Sequence, residues 1–257
     1  MKSWTLAVIL TLTALPALAG PVEDLISGTL KACRGCDLHG ANFKKADLTG
    51  VDLTGANLTD AIFHRAILRG AILDGVTATG ANFNLADLTK ASMAKGDFTR
   101  AMFYGAQMSG TDLTGATLTE ARMQKVRLTS AKLPGANLDR TILRDAKLNN
   151  CDFTGDSFQG TNLERTEMGH SKFNGSTMNS ANLGKSDASA ADFSDTTITQ
   201  TDFYGVDLRR AKFDGAAVSA NRFTLAATDA NTFTGGTLTN NFMADGRLHV
   251  QGASDGE

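Results

Sequence analysis

The sequence predicts an all-β solenoid, a parallel β-helix of about ten four-sided coils wound on one apolar core and opened by a short capping helix. Three observations predict it. From Leu38 to Leu238 every fifth residue is a large apolar side chain, through 41 consecutive positions without an insertion or deletion. Only Ala78, Ala188 and Thr228 break the rule, and the residue two places earlier is usually Ala, Val, Thr or Ser. A period of five fits neither a helix, at about 3.6, nor a strand, at about 2, so each unit is a short extended piece and a corner. Residues twenty apart also match: Phe43, Phe63, Phe83 and Phe103 form one column and Phe153, Phe173, Phe193, Phe213 and Phe233 another. That implies four units per coil, with two further columns, chiefly Leu, starting at Leu38 and Leu48. Positions 55, 75, 115, 135, 155, 175, 215 and 235 are all Gly, as a corner needing positive φ or close packing would require. Ten coils at about 4.8 Å make a rod about 50 Å long.

The units read ADLTG at 46–50, ANLTD at 56–60, AILRG at 66–70, TDLTG at 111–115 and ANLDR at 136–140. This resembles the pentapeptide-repeat family, with its A(N/D)LxG motif, over nearly the whole chain after residue 35. The resemblance implies a right-handed quadrilateral β-helix in which the central Leu or Phe and the small residue before it point inward. Composition agrees, since two of only three Pro precede position 22 and leave the ladders unbroken.

Residues 1–19 carry Lys2, an apolar run from Trp4 to Leu15 and the small-residue site Ala17-Leu18-Ala19, the pattern of a cleavable secretory signal. The run is too short to span a bilayer, and no Cys follows the cleavage site to carry a lipid anchor. The expectation is a periplasmic or secreted protein without a transmembrane segment. Residues 20–34 follow as a cap, with a helix from Pro21 to about Ala32 whose Val22, Leu25, Ile26 and Leu30 cover the first coil. The β-helix is expected over 35–250, with Met243 and Leu248 in register and Val250 adding a last short strand, and 251–257 as a polar tail.

Two of the three Cys form Cys33-Arg-Gly-Cys36. In an oxidising compartment the pair reads as a short disulfide, structural or labile. The run CRGCDLHGANF resembles the CxxCDLxGANL opening of exported pentapeptide-repeat proteins, which implies the structural role. His39 adds a C-x₂-C-x₂-H pattern, but without a fourth ligand nearby no metal is expected. Cys151 occupies an inward small position and reads as an inert buried thiol.

No catalytic constellation assembles, and neither an enzyme nor a cofactor is expected. The four His fall on different sides or distant coils, and the Asp residues before the central position, such as Asp47, Asp52 and Asp87, suit backbone hydrogen bonding at turns. One face stands out, over the Phe43 to Phe103 column. It carries Ile62, Met102 and Ile142 on one edge, and His64, Tyr104, Arg144 and Tyr204 on the other. The adjoining corner adds Lys45, Arg65, Lys125, Arg165 and Lys185, interrupted by Leu85, Asp145 and Leu225. Aromatic, Met and Arg side chains are the types enriched in protein interfaces, so this is the candidate partner surface. The face over Leu38, Leu58 and Leu118 carries Thr59, Thr79, Thr99, Thr119, Thr199 and Thr239, four of them in T-x-T units. That pattern resembles ice-binding β-helices, although Thr also simply suits exposed strands.

The expectation is therefore a non-catalytic, exported interaction or structural scaffold whose partner is a protein or envelope component. The family resemblance also implies an alternative, a DNA mimic that binds the topoisomerase gyrase, as in quinolone-resistance pentapeptide proteins. Without Lys2, 24 basic residues stand against 27 acidic ones, a formal charge of −3. Mimicry calls for a strongly negative surface, and this near-neutral balance argues for no nucleic-acid partner either. Ice binding is the third reading. The oligomeric state stays open, with an end-to-end dimer as one arrangement.

Overall fold

The computed structural model describes residues 20–249. The expected signal segment 1–19, the expected last strand at Val250 and the expected polar tail 251–257 lie outside the described residues.

Each five-residue unit contributes one rung. Its second residue pairs in parallel with the residue twenty further on, in a series running Asn42↔Ile62, Ile62↔Asn82, Asn82↔Met102 and so on to Arg222↔Phe242. The amide of Phe43 donates to the Ile62 carbonyl at 2.7 Å, and the amide of Ile62 donates to the Ala41 carbonyl at 2.8 Å. Most corners then close locally, as where the Ala46 amide donates to the Phe43 carbonyl at 3.0 Å. The last residue of the corner lies at positive φ, and this holds for Lys95 (φ 57°) as for Gly75 (φ 62°) above it in the same column. A Cβ built on Gly75 meets nothing within 4 Å, so Gly serves the left-handed backbone there and not close packing.

Four sides result. Side 1 centres on Leu38, Leu58 and Leu118, side 2 on Phe43, Phe63 and Phe83, side 3 on Leu48, Leu68 and Leu88, and side 4 on Leu53, Leu73 and Phe153. These side chains are buried. On side 2 the rings of Phe43, Phe63, Phe83 and Phe103 stack at 4.8–5.0 Å within 14° of parallel. Side 4 repeats this with Phe153, Phe173, Phe193 and Phe213 at 4.8–5.0 Å. The rung spacing is the stacking spacing, so like-on-like columns follow from a strict twenty-residue coil.

The cap is shorter than its apolar pattern suggests. Helix α1 spans Pro21–Ser27, with Pro at its first turn, and ends where Gly28 turns left-handed (φ 74°) and donates to the Leu25 carbonyl. Leu25 is buried, Val22 and Leu30 pack against the core, and Ile26 faces solvent. The rungs begin at Ala32↔Asp52, slightly before the expected start at 35.

At the other end, side 1 becomes a continuous parallel sheet of β1 (Thr177–Asn179), β2 (Thr197–Thr199), β3 (Ala217–Ser219) and β4 (Thr237–Thr239), in that order and in register. Inward amides of the next coil hold these segments extended: Asn221 Nδ2 donates to the Ile198 carbonyl at 3.0 Å and Asn241 Nδ2 to the Val218 carbonyl at 2.9 Å. Thr228, the last exception to the repeat, opens an irregular turn anchored on Asp229, which accepts from the Arg210 and Asn231 amides. Leu248 departs from the expected register. Strands β5 (Asn241–Phe242) and β6 (Leu248–His249) pair antiparallel, and the hairpin leaves Phe242 and Leu248 exposed. An ending coil has no following rung to pair with, and the chain supplies one by folding back.

Candidate functional site

The rungs place every residue of the expected partner surface on side 2 or its corner. Ile62, Met102 and Ile142 share one ladder, separated by Asn82 and Arg122. Tyr104 and Tyr204 lie in the neighbouring outward row with His64 and Arg144. They are five rungs apart, about 24 Å, and so belong to two separate patches.

Around Tyr204 the surface is closed on itself. Arg222 lies over its ring at 5.0 Å while its guanidinium makes a two-pronged pair with Asp202. Tyr104 is 43% exposed, with the Lys125 ammonium 5.7 Å from its ring centroid. Leu85, also exposed, lies one rung away at the corner, its amide donating to the Tyr104 carbonyl at 2.9 Å. With Met102 and Ile142 flanking Arg122, these residues form a mixed apolar and cationic patch at mid-rod.

The positive stripe expected along the corner is only partly positive. Lys45 and Arg65 are exposed and, among the described residues, make no ion pair within 4 Å. Arg144 is held by Asp145 and Glu164, both at 3.7 Å, and Arg165 by Asp145 at 2.8 Å and Glu164 at 3.2 Å. The Arg165 hydrogen bond holds the Asp145 carboxyl below its ordinary value. The column rule applied to charges would have found this, since Asp145 and Arg165 are twenty apart, as are Glu120 and Arg140, Lys147 and Glu167, and Asp202 and Arg222. Pairs eighteen apart, such as Arg34–Asp52 and Arg69–Asp87, need the rung geometry.

The other candidate features resolve locally. Cys33 and Cys36 are bonded to each other, Cα–Cα 5.4 Å, where α1 meets the first coil. Among the described residues no group of His, Cys, Asp or Glu could hold a metal ion. Cys151 is buried, its Sγ 3.1 Å from the Leu128 carbonyl, and burial pushes the thiol up to about 12. Ladder Asp residues brace turns: Asp47 accepts from the Thr49 amide and hydroxyl, which lowers its pKa. On side 1 the hydroxyls of Thr59, Thr79, Thr99 and Thr119 donate to Asn57, Asp97, Asp97 and Asn137. They are engaged within the rod and do not form a free hydroxyl array.

Among the described residues no helix is long and apolar enough to cross a membrane. A four-sided parallel solenoid whose polar side chains brace its own turns, and whose distinctive exposed groups are a flat patch, defines a repeat protein. The chain belongs to the pentapeptide-repeat family: pentapeptide repeats, in eight copies, match residues 36–75, 81–119 and 121–155, and the pentapeptide repeat region matches 141–223. The β-helix is accordingly right-handed, and proteins of this family are generally non-catalytic structural or binding proteins.

Among solved structures, the chain is similar to HetL, a pentapeptide repeat protein involved in heterocyst differentiation regulation in the cyanobacterium Nostoc sp. strain PCC 7120 (21% identity, 90% of this chain and 99% of that one, TM-score 0.36). It is also similar to Rfr23 from the cyanobacterium Cyanothece 51142 (25% identity, 47% and 90%, TM-score 0.34). A third is QnrB1, a plasmid-mediated fluoroquinolone resistance protein (13% identity, 77% and 92%, TM-score 0.32). No curated protein matches the sequence.

Proposed function

We propose that this protein is an exported, non-catalytic scaffold that binds a protein partner in the cell envelope through the mid-rod patch of side 2. The observation that carries the reading is the cluster of exposed Leu85 and Tyr104 beside Met102, Ile142, Arg122 and Lys125 on a flat, rigid face. Large apolar and aromatic groups next to cations, on a backbone that needs no ordering on contact, suit an interface hot spot. Export rests on residues 1–19, and an envelope partner follows from it. A gyrase-directed DNA mimic fits poorly with a cationic patch, and ice binding fits poorly with engaged Thr hydroxyls.

A photocrosslinking residue at Tyr104, expressed in the host, tests this. The expected result is one discrete adduct with an envelope protein at Tyr104 and none when the probe stands at Lys172 on side 4. Equal labelling at both positions, or none at Tyr104, refutes the assignment.

A further inference from the structure

Side 3 carries a charge order that the rod satisfies only in part. Its ladder runs Gln107, Arg127, Lys147, Glu167, Asp187, Asp207 and Ala227, each paired in parallel with the next. Arg127 and Lys147 are therefore stacked cations, and Glu167, Asp187 and Asp207 are stacked anions. Like charges on adjacent rungs are destabilising. Elsewhere the rod places opposite charges on adjacent coils, as in Arg140–Glu120, Arg165–Asp145 and Arg222–Asp202. Within this run Lys147 and Glu167, at the change of sign, pair between coils at 3.2 Å, and Arg209 in the neighbouring row holds Asp207 with a two-pronged contact. Arg127 and Asp187 are exposed and make no ion pair within 4 Å among the described residues.

We infer that side 3 is a self-complementary face that binds a second copy of this chain, antiparallel, about a two-fold axis level with Glu167. The two-fold brings rungs equally distant from Glu167 together. Arg127, two rungs before the axis, meets the partner's Asp207 and shares it with the partner's Arg209, and Lys147, one rung before it, meets the partner's Asp187. The corner follows the same rule, with Asp145 facing the partner's Lys185. One arrangement thus gives the two unpaired charges of the run, Arg127 and Asp187, an opposite charge each, and each contact occurs twice. The row beside the ladder is short at its centre, with Asn149, Gly169 and Ser189, so no bulky side chain keeps the sheets apart. Glu167 and Arg165 face their own copies, and each is already neutralised within its chain, by Lys147 and by Asp145 and Glu164. The contact leaves side 2 free, so the dimer displays two mid-rod patches.

Sedimentation velocity of the mature protein over a hundredfold concentration range tests the face. The wild type is expected to show a monomer–dimer equilibrium that weakens with added salt, because the contacts are exposed ion pairs. Two variants separate this face from others: the acidic Arg127→Asp/Lys147→Asp and the basic Asp187→Lys/Asp207→Lys. Each alone should self-associate at least tenfold more weakly, and an equimolar mixture should recover a 1:1 heterodimer, since every contact is then restored. Should either fail to fold by circular dichroism, the single changes Arg127→Gln and Asp187→Asn should each weaken the wild-type dimer measurably. A wild type monomeric throughout, or a mixture that does not associate, overturns the inference. So does a dimer that survives both reversals, which would place the contact elsewhere, for instance at the end marked by Leu225, Phe242 and Leu248.

Discussion

Replacing Asp156 by Ala should stabilise the rod at neutral and alkaline pH and remove most of its pH dependence between pH 5 and 8. Asp156 occupies an inward position where a small residue belongs; Ala116, Ala136, Ser176 and Ala216 share its column, and its side chain is buried. One carboxyl oxygen accepts from the Ala136 amide at 2.9 Å, while Oδ2 has no hydrogen-bond partner among the described residues. Burial pushes its pKa up to about 8, against the opposing pull of the Ala136 and Gly135 amides, and the charge of Asp152 adds to the rise. The unfolded chain releases the same proton near 3.8. Between these values the folded state holds a proton the unfolded state has lost, so stability falls as pH rises, by about 1.4 kcal/mol per pH unit. From pH 4 to pH 7 that amounts to about 4 kcal/mol, or roughly 8–16 °C in Tm for a domain of this size. The Ala136 amide also donates to the Leu133 carbonyl at 2.8 Å, so the Ala variant orphans no donor. Carboxylates held low, such as Asp52 at about 2 through the Thr54 hydroxyl and then Arg34, act with the opposite sign and only at more acid pH. Thermal unfolding of wild type and Asp156→Ala at successive pH values is the assay. Parallel Tm curves for the two proteins would refute the reasoning.

Phe173→Ala should lower stability by about 3–5 kcal/mol, because the ring is fully buried between Phe153 at 5.0 Å and Phe193 at 4.8 Å; a loss under 1 kcal/mol in urea unfolding would mean that the stack collapses around the gap. Leu225→Gly should raise the Tm slightly, by up to about 1 kcal/mol of stability, since Leu225 is 64% exposed at φ 59°; a lower Tm would show that its contacts outweigh the backbone strain. Reducing Cys33–Cys36 should cost about 2 kcal/mol by loop entropy and speed amide exchange in the first coil alone, while Cys151 should resist alkylation until the rod unfolds. Rapid labelling of Cys151 in the native protein would contradict its burial.

Some of the charge pattern is legible in the residues themselves. The spacing of Asp145 and Arg165 marks a neutralised corner, and the run Arg127, Lys147, Glu167, Asp187, Asp207 marks an ordered face, once residues twenty apart are compared for charge as well as for size. The buried Asp156 is equally legible as an acidic residue in a column of small ones.

The coil is written in the residues alone: where each side chain points, which positions stack, and how many sides the rod has. Each of those depends on a five-residue unit and its copy twenty residues on, and a strict period carries that information without loss. What happens where the period stops, or where two units compete, is set by the packed coils. Gly28 cuts the cap short at Ser27, the last coil folds back as the β5–β6 hairpin, and Arg222 chooses both Asp202 and the ring of Tyr204. Those outcomes depend on which free backbone groups and charges lie within reach across adjacent coils. A repeat pattern specifies neighbours, but the side-chain partner is selected by distances that exist only once the coils are stacked.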